Sequence, residues 1–183
     1  MTFASKLIAL GALFTAAQTG FAHVVLEDQA ALAGSSYKAV LRVGHGCAGA
    51  PTSTIRVLLP AGFQGAKPMP KAGWTLSTRS EKLSQPYTSH GKTVSEDVVE
   101  ITWTAASRDN WLADAWYDEF VLRGTLPASA GPLWFKVLQG CEPGRLDWVE
   151  VPAQGTSTKG LKAPAVLLEV IPSGPATHAA HAH

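Results

Sequence analysis

The chain has 183 residues, with 15 lysine and arginine side chains, 14 aspartate and glutamate side chains and a formal net charge of +1. A protein this close to neutral has no electrostatic basis for binding nucleic acid or an anionic membrane surface, which excludes those classes of partner. The length suits one domain with a sizeable core and a short tail.

The first predicted element is a secretory signal peptide over residues 1–22. Lys6 gives it a positive start, an apolar stretch covers residues 7–17, and residues 20–22 (Gly-Phe-Ala) have the small-x-small pattern of a cleavage site. We therefore expect export, with cleavage after Ala22. No other apolar run approaches the length of a membrane span, so we expect the mature protein not to be embedded in a membrane.

Cleavage at this position would make His23 the first residue of the mature chain. Its free α-amine and its imidazole Nδ1 could then close a six-membered chelate ring on one metal ion. Nitrogen ligands of this kind suit Cu(II), which binds most tightly among the divalent first-row metals. The alternative is that His23 stands first only because the peptidase must leave some residue there.

The mature sequence continues as short apolar runs separated by Gly and Pro. Alternation at period two predicts strands with one buried face. We predict strands within residues 23–27, 37–43, 55–59, 74–76, 99–103, 116–126, 133–138, 148–152 and 165–171. Eight or nine short strands at this spacing favour an all-β sandwich of immunoglobulin-like or cupredoxin-like type over residues 23–171.

Three further features belong to this domain. Residues 65–73 form an ordered connection in the prediction, and residues 108–115 are the best candidate for a helix of one or two turns. Trp74, Trp103 and Trp134 fall on strand patterns, which predicts that they lie in the core.

Cys47 and Cys141 are the two cysteines of the chain. In an exported domain two cysteines are expected to form a disulfide, and the alternative is a pair of thiolate metal ligands. The absence of a CxxC spacing argues against a thioredoxin-like redox role and against a zinc ribbon. A disulfide here would join the end of the strand at residues 37–43 to the end of the strand at residues 133–138.

His45 follows the strand at residues 37–43 and lies between two glycines, two residues before Cys47. Its small neighbours allow a sharp turn and the close approach of another group. His45 is therefore a candidate metal ligand, and the alternative is that it only caps a turn. His90, in a polar turn, is predicted to be exposed to solvent.

Residues 172–183 consist mostly of Pro, Gly, Ala and His, which predicts a disordered tail. His178, His181 and His183 could collect metal ions weakly, as short histidine-rich tracts do. The alternative is a neutral, solvated tail whose histidines have no role.

Motifs of the common enzyme classes are missing from the sequence. There is no Gly-rich phosphate loop ending in Lys-Ser/Thr and no G-x-S-x-G nucleophile turn. Trp148, between Asp147 and Val149, is either a core residue or a tryptophan that shields a copper site. Metal binding is therefore the chemistry that the sequence favours, and we expect no enzymatic activity.

The chain resembles the YcnI-like copper-binding domain family over about residues 22–171. The resemblance rests on an ordered set of segments: Ala22-His23-Val24-Val25, residues 37–47 ending in Gly44-His45-Gly46-Cys47, residues 54–57, 60–63, 70–74, 116–120 and 133–137, and Asp147-Trp148-Val149-Glu150.

The resemblance implies a periplasmic β-sandwich that binds Cu(II) through the amine and imidazole of a processed N-terminal histidine, here His23. It also implies a nearby tryptophan, which we match to Trp148, and a glutamate near the end of the next long strand. This sequence has no acid there, so we infer that His45 replaces the carboxylate. If His45 is not a ligand, Asp118, Glu142 or Asp147 could serve.

The resemblance further implies a role as a copper chaperone, in trafficking or in buffering. The partners would be other periplasmic copper-handling proteins or a membrane copper transporter. Two alternatives remain open at this point. One is a copper-dependent redox enzyme with a histidine-brace-like centre, and the other is a metal-free structural or adhesion sandwich.

Overall fold

Period-two alternation shapes the strands, as predicted from the sequence. The structure is a computed structural model, and it describes residues 23–174. In strand β3, Tyr37, Ala39, Leu41 and Val43 are buried on one face. Burying these alternate apolar side chains removes them from water and fixes which face of the strand points into the core.

Eleven strands form within residues 23–174. Their bounds are β1 (Val25–Leu26), β2 (Ala30–Leu32), β3 (Ser36–Val43), β4 (Thr52–Leu58), β5 (Gln64–Pro68), β6 (Trp74–Ser89), β7 (Lys92–Ala105), β8 (Asp118–Thr125), β9 (Gly131–Cys141), β10 (Arg145–Trp148) and β11 (Val166–Ile171).

Two sheets pack face to face and confirm the predicted sandwich. One sheet has the strand order β1-β3-β8-β5, and the other has the order β2-β11-β9-β4-β7-β6 with β10 paired to β9. The core between them contains the fully buried rings of Trp103, Phe120, Phe135 and Trp148. Within residues 23–174, no helix is long and apolar enough to cross a membrane.

The number of strands exceeds the predicted eight or nine. The hairpin β6–β7 is much longer than its apolar segments at residues 74–76 and 99–103, because its outer half is polar and exposed and has no alternation to detect. The segment predicted as a connection over residues 65–73 contains most of β5, which pairs with β8. The short β2 pairs with β11 in parallel.

Two smaller predictions are wrong in part. The helix predicted for residues 108–115 is a 3-10 helix limited to Arg108–Asn110. Trp134 alternates with the buried Leu133 and Phe135 along β9, so its ring lies on the outward face and is only partly covered. His90 is exposed in the turn between β6 and β7, as predicted.

The predicted disulfide joins Cys47 to Cys141 and closes one end of the sandwich. At this end Val43 of β3 pairs with Asp118 of β8, and Thr52 of β4 pairs with Cys141 of β9. The loop from residue 44 to residue 51 therefore crosses from one sheet to the other and is held covalently to the end of β9.

Candidate metal centre

His23 and His45 lie close in the fold because β1 pairs with β3. Val25 is opposite Arg42 and Leu26 is opposite Leu41 in this antiparallel pair. Continuing the same register by two residues places His23 opposite Gly44, next to His45. Both histidines are partly buried at an edge of the four-stranded sheet.

Trp148 contacts both imidazole rings from the other sheet. Its ring centroid is 5.5 Å from that of His23 and 6.1 Å from that of His45, and both pairs are T-shaped. Trp148 itself is 1% exposed. The structure thus brings together the two predicted ligands and the predicted tryptophan at one corner of the sandwich.

A fully buried amide connects Trp148 to the loop that carries His45. The indole Nε1 of Trp148 donates to Gln139 Oε1 at 3.0 Å, and Gln139 Nε2 donates to the backbone carbonyl of His45 at 2.7 Å. The same Nε2 also donates to Thr52 Oγ1 at 2.7 Å. Gln139 is 1% exposed, so these bonds satisfy an amide that would otherwise be costly to bury.

The loop around His45 has further attachments. The Gly46 N–H donates to Asp114 Oδ1 at 2.9 Å, and Cys47 is held by the disulfide. His45 Nδ1 lies 2.5 Å from the Gly46 carbonyl oxygen. A proton on Nδ1 would donate to this carbonyl, and in that tautomer of the neutral ring Nε2 is the nitrogen that carries no proton.

The three alternative carboxylates have other partners. Asp118 pairs with Lys71 at 2.6 Å. Asp147 pairs with Arg145 through Oδ2 at 2.8 Å, whereas its Oδ1 is buried without a hydrogen-bond partner among the described residues. Glu142 accepts a hydrogen bond from Ser53 at 3.5 Å. Within residues 23–174, no group of three or more His, Cys, Asp and Glu side chains is arranged to hold a metal ion. The third donor predicted here is the main-chain amine of His23, which is not a side chain.

Two predicted features lie outside the described residues. These are the signal peptide over residues 1–22 and the tail histidines His178, His181 and His183. They stay predictions.

The candidate centre does not coincide with a cleft of about 670 Å³ at the β6–β7 hairpin. This cleft lies next to the end of β4, at the opposite end of that strand from the His45 loop. A smaller pocket of about 200 Å³ is lined by His23, Gln29, Thr156 and Thr158. Solvent therefore reaches the His23 side of the candidate centre.

A family model described as "Domain of unknown function (DUF1775)" matches residues 23–170. The chain belongs to the DUF1775 family. This is the family that the YcnI-like resemblance indicates, and its description does not mention copper. No curated protein matches the chain.

Two solved structures are similar to this DUF1775 domain. An uncharacterized protein from Nocardia farcinica, described as having an immunoglobulin-like fold, aligns with a TM-score of 0.62 and 22% identity over 81% of this chain and 97% of its own. The seventh ScaB type I cohesin from Pseudobacteroides cellulosolvens aligns with a TM-score of 0.40 and 9% identity over 88% of this chain and 97% of its own. The first alignment confirms the immunoglobulin-like fold.

The sequence reasoning missed two residues of this DUF1775 domain that hold the His45 loop. Asp114 is far from His45 in the chain, and no local pattern connects them. Gln139 could have been noticed in the sequence. The alternation that points Leu133, Phe135 and Val137 of β9 into the core also places residue 139 there. A polar residue at a core position of a strand is an informative exception.

Replacing Gly46 with alanine should distort the loop beside His45. A Cβ at residue 46 would lie 1.8 Å from the Ala50 carbonyl oxygen, so the loop must open. We expect Gly46→Ala to lower the free energy of unfolding by about 1–3 kcal/mol, measured by thermal or urea unfolding. Gly174→Ala is the control, because a Cβ there meets no atom within 4 Å. Unchanged stability of Gly46→Ala would contradict this close packing.

Proposed function

We propose that this protein is a periplasmic Cu(II)-binding protein that carries or buffers copper. The amine and imidazole of a processed His23 and the imidazole of His45 would hold the ion. The observation that supports this most strongly is the convergence of both histidines on Trp148, since His23 precedes β1, His45 follows β3 and the two are 22 positions apart.

The chemistry of the donor set favours Cu(II) over softer ions. Three nitrogen donors suit Cu(II), whereas Cu(I) prefers thiolate and thioether sulfur. Cys47 and Cys141 are joined in a disulfide, and Met69 is the only methionine beyond residue 1. This domain therefore lacks the set of sulfur ligands that a Cu(I) site needs.

The position of Trp148 favours a carrier over an enzyme. A buried indole against both imidazoles restricts the space in which oxygen or a substrate could reach the metal ion. We propose that the copper is cargo, passed to or received from another copper-handling protein of the periplasm or a membrane copper transporter.

Electron paramagnetic resonance of the processed protein with one equivalent of Cu(II) tests the proposed ligands. We expect nitrogen couplings from three donors in the wild-type spectrum and the loss of one coupling in His45→Ala. His90→Ala is the matched control, because His90 is an exposed histidine in the β6–β7 turn. Its spectrum should equal that of the wild type.

Two results would contradict the assignment. A His45→Ala spectrum that matches the wild type would remove His45 from the coordination shell. If the wild-type protein begins at His23 and takes up no Cu(II), the proposed function is wrong.

A further inference from the structure

Gln139 has a position that the packing of a sandwich does not explain. It occupies an inward-facing site of β9, in line with Leu133, Phe135 and Val137, and it is 1% exposed. An apolar side chain would fill this site without the cost of burying an amide.

The oxygen of the Gln139 amide accepts a hydrogen bond, and its nitrogen donates one to a different group. An indole N–H can only donate and a backbone carbonyl can only accept, so Trp148 requires an acceptor and His45 requires a donor. Gln139 supplies both, with Oε1 toward Trp148 and Nε2 toward His45. A carboxylate offers no donor, and an apolar side chain offers neither group.

We propose that Gln139 is a positioning residue of the candidate metal centre, a role that rests on the proposed function. It joins the indole of Trp148 to the backbone of His45, and so fixes the His45 imidazole relative to the Trp148 ring. We call this chain of two hydrogen bonds, from Trp148 through Gln139 to the His45 carbonyl, the Gln139 bridge. It ties His45, in the loop that follows β3 of the four-stranded sheet, to a ring on the other sheet.

The Gln139 bridge differs from the other attachments of the loop. The hydrogen bond from Gly46 to Asp114 and the disulfide from Cys47 to Cys141 also hold the loop. Neither attaches it to Trp148. Groups that orient a metal ligand from outside the coordination shell typically change metal affinity by roughly 10- to 100-fold when removed. The Gln139 bridge should have an effect of this size.

A graded series of variants tests the proposal in the mature protein. Glutamine offers two amide donors, a protonated glutamate at most one, and methionine none, so we compare wild type, Gln139→Glu and Gln139→Met. Thr52→Val is the matched control. It removes a buried partner of Gln139 and leaves the Gln139 bridge intact.

The first measurement needs no copper. The nuclear Overhauser effect between the Trp148 indole and the His45 imidazole should be strong in wild type and Thr52→Val, weaker in Gln139→Glu and weakest in Gln139→Met. Equal intensities across the series would overturn the proposal. This result stands even if the protein binds no Cu(II), which separates failure of the proposal from failure of the proposed function.

The second measurement uses Cu(II). We expect Gln139→Met to bind roughly 10- to 100-fold more weakly and to show an altered paramagnetic resonance spectrum. Thr52→Val should keep the wild-type spectrum even if its melting temperature falls. Spectral changes that follow melting temperature across all the variants, Thr52→Val included, would show a merely structural role and overturn the proposal.

Discussion

A mature protein that keeps one extra residue before His23 should lose tight Cu(II) binding. The added residue converts the His23 amine into an amide, which cannot supply the same donor, and the chelate ring with the imidazole is lost. We expect the affinity to fall by roughly 100-fold or more, beyond the usual cost of losing a group outside the coordination shell. Isothermal titration with Cu(II) measures this directly.

The control for this prediction is the same extension on the His23→Ala variant. Because the imidazole is already absent there, the chelate cannot form and the extension should weaken binding much less. An extended protein that binds Cu(II) as tightly as the processed wild type would show that the His23 amine is not a ligand.

Removing the disulfide should have the largest effect on stability. The bond between Cys47 and Cys141 spans 94 residues of chain, and losing such a crosslink typically costs about 2–5 kcal/mol. For a domain of this size we expect the melting temperature of the Cys47→Ala/Cys141→Ala variant to fall by roughly 5–15 °C. Differential scanning calorimetry provides the measurement.

Chemical reduction of the wild type is the matched control for the disulfide prediction, since it breaks the same bond without changing the core volume. The double-alanine variant, which has no thiols that could bind or reduce copper, should also bind Cu(II) less tightly, because the loop that carries His45 loses its covalent anchor. A double-alanine variant that melts with the wild type would contradict the proposed constraint on this end of the sandwich.

The parts of the structure that could be predicted depend on local patterns. Alternation in β3 located the end of a strand, and the short spacing from Val43 to Cys47 placed His45 beside the disulfide. The signal peptide predicted at residues 1–22 made the pairing of Cys47 and Cys141 the natural expectation. The packing of Trp148 against His23 and His45 then follows from which strands the sandwich brings together.

The parts that could not be predicted depend on pairing between distant segments. Asp114 reaches Gly46 only because the loop after the 3-10 helix pairs with the start of β4, where Thr52 and Leu112 exchange backbone hydrogen bonds. The outer half of the β6–β7 hairpin has no apolar alternation, so its strands extend beyond their apolar segments. Gln139 is a polar residue at an inward position of β9. Its hydrogen bonds to Trp148 and His45 join segments that are distant in sequence, so they could not be predicted.

Native mass spectrometry of the exported protein, before and after one equivalent of Cu(II), tests the central claim most directly. It weighs the chain and counts bound metal ions in one spectrum. The account predicts a polypeptide whose first residue is His23 and which retains one copper ion. Any other first residue, or a chain that starts at His23 and retains no copper, would contradict it.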